Sequence, residues 1–359
     1  MTNNNKILVL NLEGTSTKVA IFQDRTCLHQ ETFRHETDAS FSKFNDIWDQ
    51  YDFRKKTILN FVESQGYKMS DFNFLVSRGA PIKPMNSGTY RINQNMVEDA
   101  KSRKYGNHPC GVGCTIAYDM ANELNIQAFT VDAPCIDELI VEARYTGWKG
   151  ISRKSWYQAL NQKSVGRRLA ADLGKDYSEL NAIIIHMGGG MSIAAHNKGM
   201  VEDVNNGLDG DGPMAPERAG TLPIGEVLKA AYSGEYKYEE LYRMVNGKGG
   251  LFAHLGTKDA REVEKMIEDG DTYAKEVYDS MIYQIAKSIG SAAVTLKGKV
   301  DAIAFTGGLA YSKYIVDGLT EWCGFIAPVH LYPGEDELAS LVDGTMNAIE
   351  GHWEIQEYN

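Results

Sequence analysis

The chain has 359 residues, 43% of them hydrophobic and 24% charged, which is the balance of a folded globular protein long enough for two domains. Its net charge of −11 argues against nucleic acid or an anionic membrane as the main partner, and leaves room for a local basic site that takes a phosphorylated ligand. Five scattered cysteines (Cys27, Cys110, Cys114, Cys135, Cys323) lack paired metal-site spacing, so Cys110-x-x-x-Cys114 reads as part of a reduced thiol set rather than half of a metal centre.

Residues 1–6 are polar, with no signal-peptide core, and no apolar run reaches membrane-spanning length, so a cytoplasmic protein is expected. Residues 6–10 and 18–22 read as strands joined by the small polar turn Asn11-Leu-Glu-Gly-Thr-Ser-Thr17, and 26–33 as a third, so the chain opens on a hairpin meander. The turn supplies amide and hydroxyl donors suited to an anion, and a simple hairpin turn accounts for it as well. Residues 41–66 place Phe44, Ile47, Trp48, Tyr51, Ile58, Phe61 and Val62 at helical spacing and stop at Gly66, a reasonable C-cap. The strand 72–76 runs into Ser77-Arg-Gly-Ala-Pro81, which puts Arg78 at a strand end, facing either a cleft or solvent. Short helices are expected over 96–102 and 115–125, with a loop carrying His108 over 105–113. The strand 127–131 ends at Asp132, and a carboxylate at the C-terminal end of a strand points at a cleft in an α/β fold. Helices over 136–145 and 155–173 follow.

The stretch on which the reading turns is 180–196. An apolar strand leads into His186-Met-Gly-Gly-Gly190, and a second strand, 191–195, leaves it. Three glycines let backbone N–H groups converge on an anion because no Cβ blocks the approach, although a lone glycine turn is equally a plain hairpin. Helices are expected over 226–232, 238–245, 259–268 and 271–296, the last with a long apolar stripe. Residues 301–305 form a buried strand followed by Thr306-Gly-Gly-Leu309 and a helix from about 312, a unit that offers bare amides and a helix N-terminus to a ligand. A strand over 329–332, Pro333-Gly-Glu-Asp-Glu337 and a closing helix to 351 complete the pattern, with no clear structure over 353–359. The meander start near residue 6 recurs near residue 180. That spacing describes two copies of one unit, with a nucleotide's phosphates held between their two turns and the chain crossing over at 147–152.

Taken together, His186-Met-Gly-Gly-Gly190, Asp203-Val-Asn-Asn-Gly-Leu-Asp-Gly-Asp-Gly-Pro213, Pro216-Glu-Arg-Ala-Gly-Thr-Leu-Pro223, Ala159-Leu-Asn-Gln-Lys163, Leu255-Gly-Thr257, Leu296-Lys-Gly298, Thr306-Gly-Gly-Leu-Ala310 and Tyr332-Pro-Gly334 resemble the acetate and propionate kinase group of acid kinases, most closely the butyrate kinase family. The resemblance runs over nearly the whole chain. It implies the two-lobed α/β fold of the superfamily of actin, hexokinase and the seventy-kilodalton heat-shock proteins: duplicated ribonuclease H-like domains with a cleft between the lobes. Residues 1–150 with a C-terminal helix at about 338–359 would form the N-terminal lobe, on the acyl and phosphoryl side. Residues 151–337 would form the lobe for nucleotide binding and dimerisation. The implied activity is transfer of the γ-phosphoryl group of MgATP to a short-chain carboxylate, butanoate or a similar acid, giving an acyl phosphate. The implied cofactors are ATP and Mg2+, and the implied assembly a homodimer or higher homo-oligomer.

Residue by residue, the resemblance assigns Arg78 and Arg218 to the transferred phosphoryl group, His108 to the substrate side, and Asp132 to catalysis and Mg2+ placement. Glu337 falls to the metal, and Gln158 stands where the family has a phosphoryl-binding histidine. Asn11, Thr15, Ser16, Thr17 and Lys18 fall in the first phosphate loop, His186 with Gly188, Gly189 and Gly190 in the second, and Gly307 and Gly308 on the adenosine side. The first loop departs from the family's Asn-Pro-Gly-Ser pattern at Leu12, Glu13 and Gly14, where Glu13 adds a negative charge beside the expected triphosphate. Ala80 replaces a glycine, and Asn107-His-Pro-Cys-Gly111 replaces Glu-His-Ala-Ser-Asn. These departures raise, as the alternative, a catalytically impaired or re-specialised homologue that binds nucleotide. A superfamily sugar kinase or ATPase with Asp132 as base is a further one.

Overall fold

Two runs of consecutive apolar residues seed the structure. Ile7 to Leu10 and Ala182 to Ile185 are all fully buried, as strands covered on both faces must be. The computed structural model describes residues 4–36, 38 and 41–359; the segment 1–3, read as a polar lead-in, lies outside them. The chain divides into two units, Met1–Ile136 with Asp336–Asn359, and Asp137–Glu335. The first crossing therefore falls at Ile136, ahead of the 147–152 stretch, which lies inside the second unit where Tyr145 and Ser152 bridge.

The first unit is built on a seven-stranded sheet. An antiparallel meander of β1 (Lys6–Leu12), β2 (Ser16–Gln23) and β3 (Thr26–Arg34) is extended in parallel by β4 (Phe74–Ser77) and β6 (Gln127–Val131), with β5 (Thr89–Arg91) and β12 (Ile355–Glu357) at the far edge. Leu10 pairs with Ser77, and Val76 with Phe129, so the C-terminal ends of β1, β4 and β6 lie side by side. That register delivers Asn11, Arg78 and Asp132 to one edge of one sheet. The helix expected from 41 begins later: two 3-10 turns, Phe41–Lys43 and Ile47–Gln50, precede α1 (Tyr51–Ser64), because the Asp46 carboxylate accepts the Trp48 N–H and restarts the backbone there. After α2 (Gln94–Ser102), α3 (Pro109–Leu124) also starts earlier than expected, with His108 as N-cap and Pro109 at the first helical position. The sequence 105–113 looked loop-like because its glycines and proline masked a helix start.

The C-terminal segment completes this unit. α12 (Glu337–Ile349) lies so close to β6 that a Cβ on Gly344 would sit 2.4 Å from Val131 Cγ1. The tail is ordered: β12 pairs in parallel with β5, and Tyr358 is buried, its hydroxyl bonded to Asp99 and accepting the Lys83 N–H. Strands of three residues are too short to show a period of two, which is why both were invisible in the sequence.

The second unit repeats the scheme. β7 (Asn181–Met187), β8 (Met191–Asn197) and β9 (Met200–Val204) form the meander, and β10 (Ala302–Gly307) and β11 (Val329–Pro333) extend it in parallel, in the order β11-β10-β7-β8-β9. This matches β6-β4-β1-β2-β3 strand for strand, as the internal repeat predicts. α5 (Ala159–Asp172) covers one face through Val165 and Leu169; the long α10 (Thr272–Thr295) covers the other through Met281, Ile285 and Ile289. The helix expected over 136–145 shrinks to α4 (Val141–Arg144), and α6 (Ile224–Tyr232), α7 (Tyr238–Val245), α8 (Gly250–Leu255), α9 (Ala260–Glu268) and α11 (Lys313–Cys323) follow. A 3-10 turn, Gly308–Tyr311, intervenes between β10 and α11, so the two glycines do not open the helix directly. Among the described residues no helix is long and apolar enough to cross a membrane.

Candidate active site

In the first unit the polar turn is shaped from beneath by one side chain. Arg54 of α1 is fully buried and donates all its N–H groups: Nε to Gln50 Oε1 (2.9 Å), Nη1 to Ser16 O (2.7 Å) and Thr17 Oγ1 (3.0 Å), Nη2 to Glu13 O (2.8 Å) and Gly14 O (3.0 Å). None of these acceptors carries a charge. Loss of water alone pushes the Arg54 pKa down to about 10, so the group stays cationic at neutral pH and puts an unneutralised charge under the turn. Sequence reasoning missed Arg54. The signal was there: Arg54, Ile58 and Phe61 share one face of α1, and a cation on an apolar stripe needs a reason.

This architecture reassigns some expected donors. Thr17 Oγ1 faces inward to His35 Nε2 (2.9 Å) and Arg54, and Thr15 Oγ1 donates to Glu36 (2.8 Å), so both hydroxyls serve the turn itself. Ser16 is buried, its carbonyl taken by Arg54. The groups facing outward are charged. Glu337 Oε2 accepts from Asn11 Nδ2 (2.5 Å), and its Oε1 lies 3.1 Å from an Arg78 Nη. Glu13 turns toward this cluster, 3.1 Å from Lys18 Nζ and 3.6 Å from Arg78. Its carboxylate thus lies against both of these cations.

Asp132 adopts a left-handed backbone (φ 42°), uncommon for a residue with a Cβ and found at functional sites. Its Oδ1 accepts from Ser87 Oγ (2.6 Å) and the Gly88 N–H (3.0 Å), which locks the carboxylate. Gly79, next to Arg78, makes this packing feasible, since its φ is +91° and a Cβ there would lie 2.7 Å from Ala133 Cβ. His108 Nδ1 accepts the Cys110 N–H, so the ring caps α3. Crowding by protein on the inner side of the ring, followed by the charge of Arg78, pulls its pKa down to about 4 against the opposing pull of Glu13, so the imidazole is neutral at pH 7.

In the second unit, Met187 pairs with Met191 and the three glycines form the loop between them. None of the three has a positive φ. Cβ atoms on Gly188 and Gly190 would meet nothing closer than 3.6 Å, whereas one on Gly189 would press on the Glu217 side chain at 2.8 Å. The fold therefore does not require glycine at 188 or 190. Gly307 differs: its φ is +84° and a Cβ would strike Met187 O at 2.4 Å, so it is a structural glycine, while a Cβ on Gly308 would stand in open space.

Arg218 is drawn to this loop. Its Nε donates to Gly207 O (3.2 Å), its Nη1 donates to Glu217 Oε1 (3.2 Å), and its side chain lies 3.6 Å from where a Gly190 Cβ would be. Glu217, bridged also to Lys258 (2.8 Å), was missed as a site residue although it stands in the quoted Pro-Glu-Arg motif. His186 is held on both sides, Nδ1 by Asn161 Oδ1 (2.8 Å) and Nε2 by Glu335 (3.2 Å), so it orients the loop's entry strand rather than offering a free nitrogen. Gln158 stands at the N-cap position of α5 without a side-chain capping bond, and accepts from Ser192 Oγ (2.8 Å), two residues past the last glycine. A cavity of 890 Å3 opens beside the loop, lined among others by Gly188, Gly189, Glu217, Arg261, Gly308 and Tyr311. That is a volume suited to a nucleoside.

Comparison with known proteins bears on this geometry. Residues 141–319 match the model of the acetokinase family. The chain is similar to an acetate kinase from Porphyromonas gingivalis, with 20% identity and a TM-score of 0.78 over 96% of this chain and 100% of that one. It is similar also to an acetate kinase from Entamoeba histolytica (16%, TM-score 0.74, 95% and 99%) and to a propionate kinase from Francisella tularensis subsp. tularensis (18%, TM-score 0.72, 95% and 98%). At these identities the likeness establishes the fold, the two-domain actin-like ATPase fold.

Proposed function

We propose, from the match of residues 141–319 to the acetokinase family model, that this protein transfers the γ-phosphoryl group of ATP to a short-chain carboxylate, with butanoate as the acid and butanoyl phosphate and ADP as products. The observation that carries the proposal is the loop Gly188–Gly190. None of its three glycines has a positive φ and two, Gly188 and Gly190, have room for a side chain, with Arg218 laid against the loop, and close approach of a phosphate is what bare glycine amides provide.

The chemistry suits the residues. A carboxylate oxygen forms a bond to the γ-phosphorus while the bond from that phosphorus to the β–γ bridging oxygen breaks, and the electron pair leaves with ADP. The nucleophile is already ionised at neutral pH, so no general base is needed. The demand is to hold two anions together and offset charge on the equatorial oxygens. Arg78 and Arg218 supply guanidinium groups for that charge, the neutral His108 a hydrogen bond on the acid side, and Gln158 an amide donor.

The first unit also fits Mg2+. Asn11 Oδ1 is buried and has no hydrogen-bond partner among the described residues, and Glu337, bonded to Asn11, and the locked carboxylate of Asp132 would offer further hard oxygen donors. Mg2+ there would neutralise phosphate charge, with Asn11, Glu337 and Asp132 holding it chiefly through its water shell. Assembly is proposed to be homo-oligomeric through α6 and α7, where Ile224, Leu228, Tyr232 and Tyr238 are exposed and a second copy would cover them.

The test is incubation with MgATP and each linear and branched acid from C2 to C5, trapping acyl phosphate as hydroxamate. Product is expected, greatest with the four-carbon acids. Absence of hydroxamate with every acid, in protein that still binds ATP, would overturn the reading.

A further inference from the structure

Resting on the phosphotransferase reading, we propose that a one-way chain of hydrogen bonds, Tyr177 to His196 to Gln162 to Ser192 to Gln158, fixes the Gln158 amide so that its NH2 end faces the transferring phosphoryl group. This makes Ser192, Gln162 and His196 positioning residues for a donor they never replace.

The direction of the chain follows from counting donors. Gln162 is fully buried, and its Nε2 reaches Ile184 O (3.2 Å), Ser192 O (3.0 Å) and Ser192 Oγ (2.9 Å). Backbone carbonyls only accept, so this end of the amide is the NH2 and the other end is the carbonyl. That carbonyl, Oε1, lies 3.0 Å from His196 Nε2, which must therefore carry a hydrogen. His196 is itself fully buried, and its Nδ1, 2.8 Å from the Tyr177 hydroxyl, accepts from it in the neutral ring. Burial, with Lys163 and Arg167 nearby, holds the His196 pKa well below its usual value and so keeps the ring neutral. At the other end, Ser192 Oγ lies 2.9 Å from the Gln162 NH2, which shares two hydrogens among three acceptors and accepts none, so the hydroxyl hydrogen must be placed elsewhere. Its acceptor is Gln158 Oε1 at 2.8 Å. Turning the Gln158 amide over would leave the fully buried Ser192 hydroxyl without an acceptor.

The consequence reaches the loop. Gln158 is half-buried, and no described residue accepts from its Nε2. With Oε1 committed to Ser192, the outward end can only donate, which is what a phosphoryl oxygen requires. A glutamine left to rotate would present its carbonyl part of the time and repel that oxygen. A run of bonds pointing the same way also strengthens each member.

Two measurements test this. In turnover, Gln158→Ala and Ser192→Ala each should lower kcat about tenfold, equivalent to about 1.4 kcal/mol in the barrier, with KM for MgATP changed less than twofold. The double variant should be no worse than Gln158→Ala, because Ser192 acts only through Gln158. Gln158→Glu keeps an acceptor for Ser192 and loses the outward NH2, so it should fall as far as Gln158→Ala, and it leaves the buried chain untouched should Ser192→Ala fold poorly. Single effects that multiply in the double variant, or a Gln158→Glu enzyme with unchanged kcat, overturn the proposal. The second measurement needs no turnover: in protein labelled with 15N-glutamine, the Gln158 side-chain resonance, assigned by its loss in Gln158→Ala, should move in Ser192→Ala. An unmoved resonance overturns the chain. Failure to form any acyl phosphate, with the resonance moved as expected, overturns the phosphotransferase reading and leaves the chain standing.

Discussion

Gly188→Ala separates a ligand-binding loop from a hairpin turn, because the two readings predict opposite effects. The added Cβ would lie 3.6 Å from His186 Nε2 and 3.7 Å from Gly190 O, which are ordinary van der Waals distances, and the residue has no positive φ. Nothing in the folded state resists it. Alanine also has fewer unfolded conformations to lose, so stability should rise by about 0.4–1 kcal/mol, or about 1–4 °C in Tm for a domain of this size. A ligand meets that methyl group differently. A phosphate oxygen held by backbone amides is pushed back, and losing one charge-assisted hydrogen bond costs about 1.5–3 kcal/mol, or roughly tenfold to a hundredfold in Kd. Calorimetric melting and titration with MgATP measure both quantities on one sample. A Gly188→Ala protein that binds MgATP like the parent reduces the loop to a hairpin turn. One that loses more than about 1 kcal/mol of stability shows that the fold needs the glycine after all. Gly307→Ala is the contrasting control: with φ +84° and a contact of 2.4 Å to Met187 O, it should be strongly destabilised.

Three further outcomes are expected. Arg54→Lys replaces five N–H donors by three, leaving buried acceptors at the first turn unpaired, so stability should drop by about 2–3 kcal/mol; an unchanged urea midpoint would show that the turn does not depend on it. Glu13→Gln removes a carboxylate from Arg78 and Lys18, and because the groups are partly exposed the gain is modest: about threefold to tenfold tighter MgATP binding, read by titration. Equal or weaker binding would mean that Glu13 does not compete with the ligand. The pH dependence has a defined sign. His196 is neutral when folded because its pKa is lowered, and takes up a proton near pH 6.5 once unfolded, so its stabilisation is complete above pH 6.5 and is lost as the pH falls below it. Urea midpoints between pH 7.5 and 5.5 should fall with acidification, and His196→Gln should flatten that slope by up to about 1.4 kcal/mol per pH unit; a parallel profile would refute the assignment.

The duplicated meander and both turns were legible in the sequence because buried strands announce themselves as apolar runs and the turns as small polar residues. Arg78 and Asp132 were legible as strand-end residues, and parallel pairing of β1, β4 and β6 brought them to one edge beside Asn11. What failed was anything decided by a single side chain at long range. The inward turn of Thr17, the approach of Glu13 to Lys18 and Arg78, and the five bonds of Arg54 depend on packing that no local period encodes. The tail failed for another reason: β12 has three residues, and its pairing partner β5 lies some 265 residues earlier, as the Asn93–Tyr358 contact shows.

The place of α12 has a consequence for biosynthesis. The first unit cannot close its sheet, bury Tyr358 or bring Glu337 to Arg78 until the ribosome has made residues 336–359, whereas every strand of the second unit has been made by then. Order of synthesis and order of completion are therefore reversed, with the part translated first maturing last. A chain stopped before residue 336 would carry a finished glycine loop and an Arg78 that has Glu13 beside it but not Glu337. Nascent chains should accordingly gain protease resistance in the second unit first, and Arg78 should meet Glu337 only once residues 336–359 have been made.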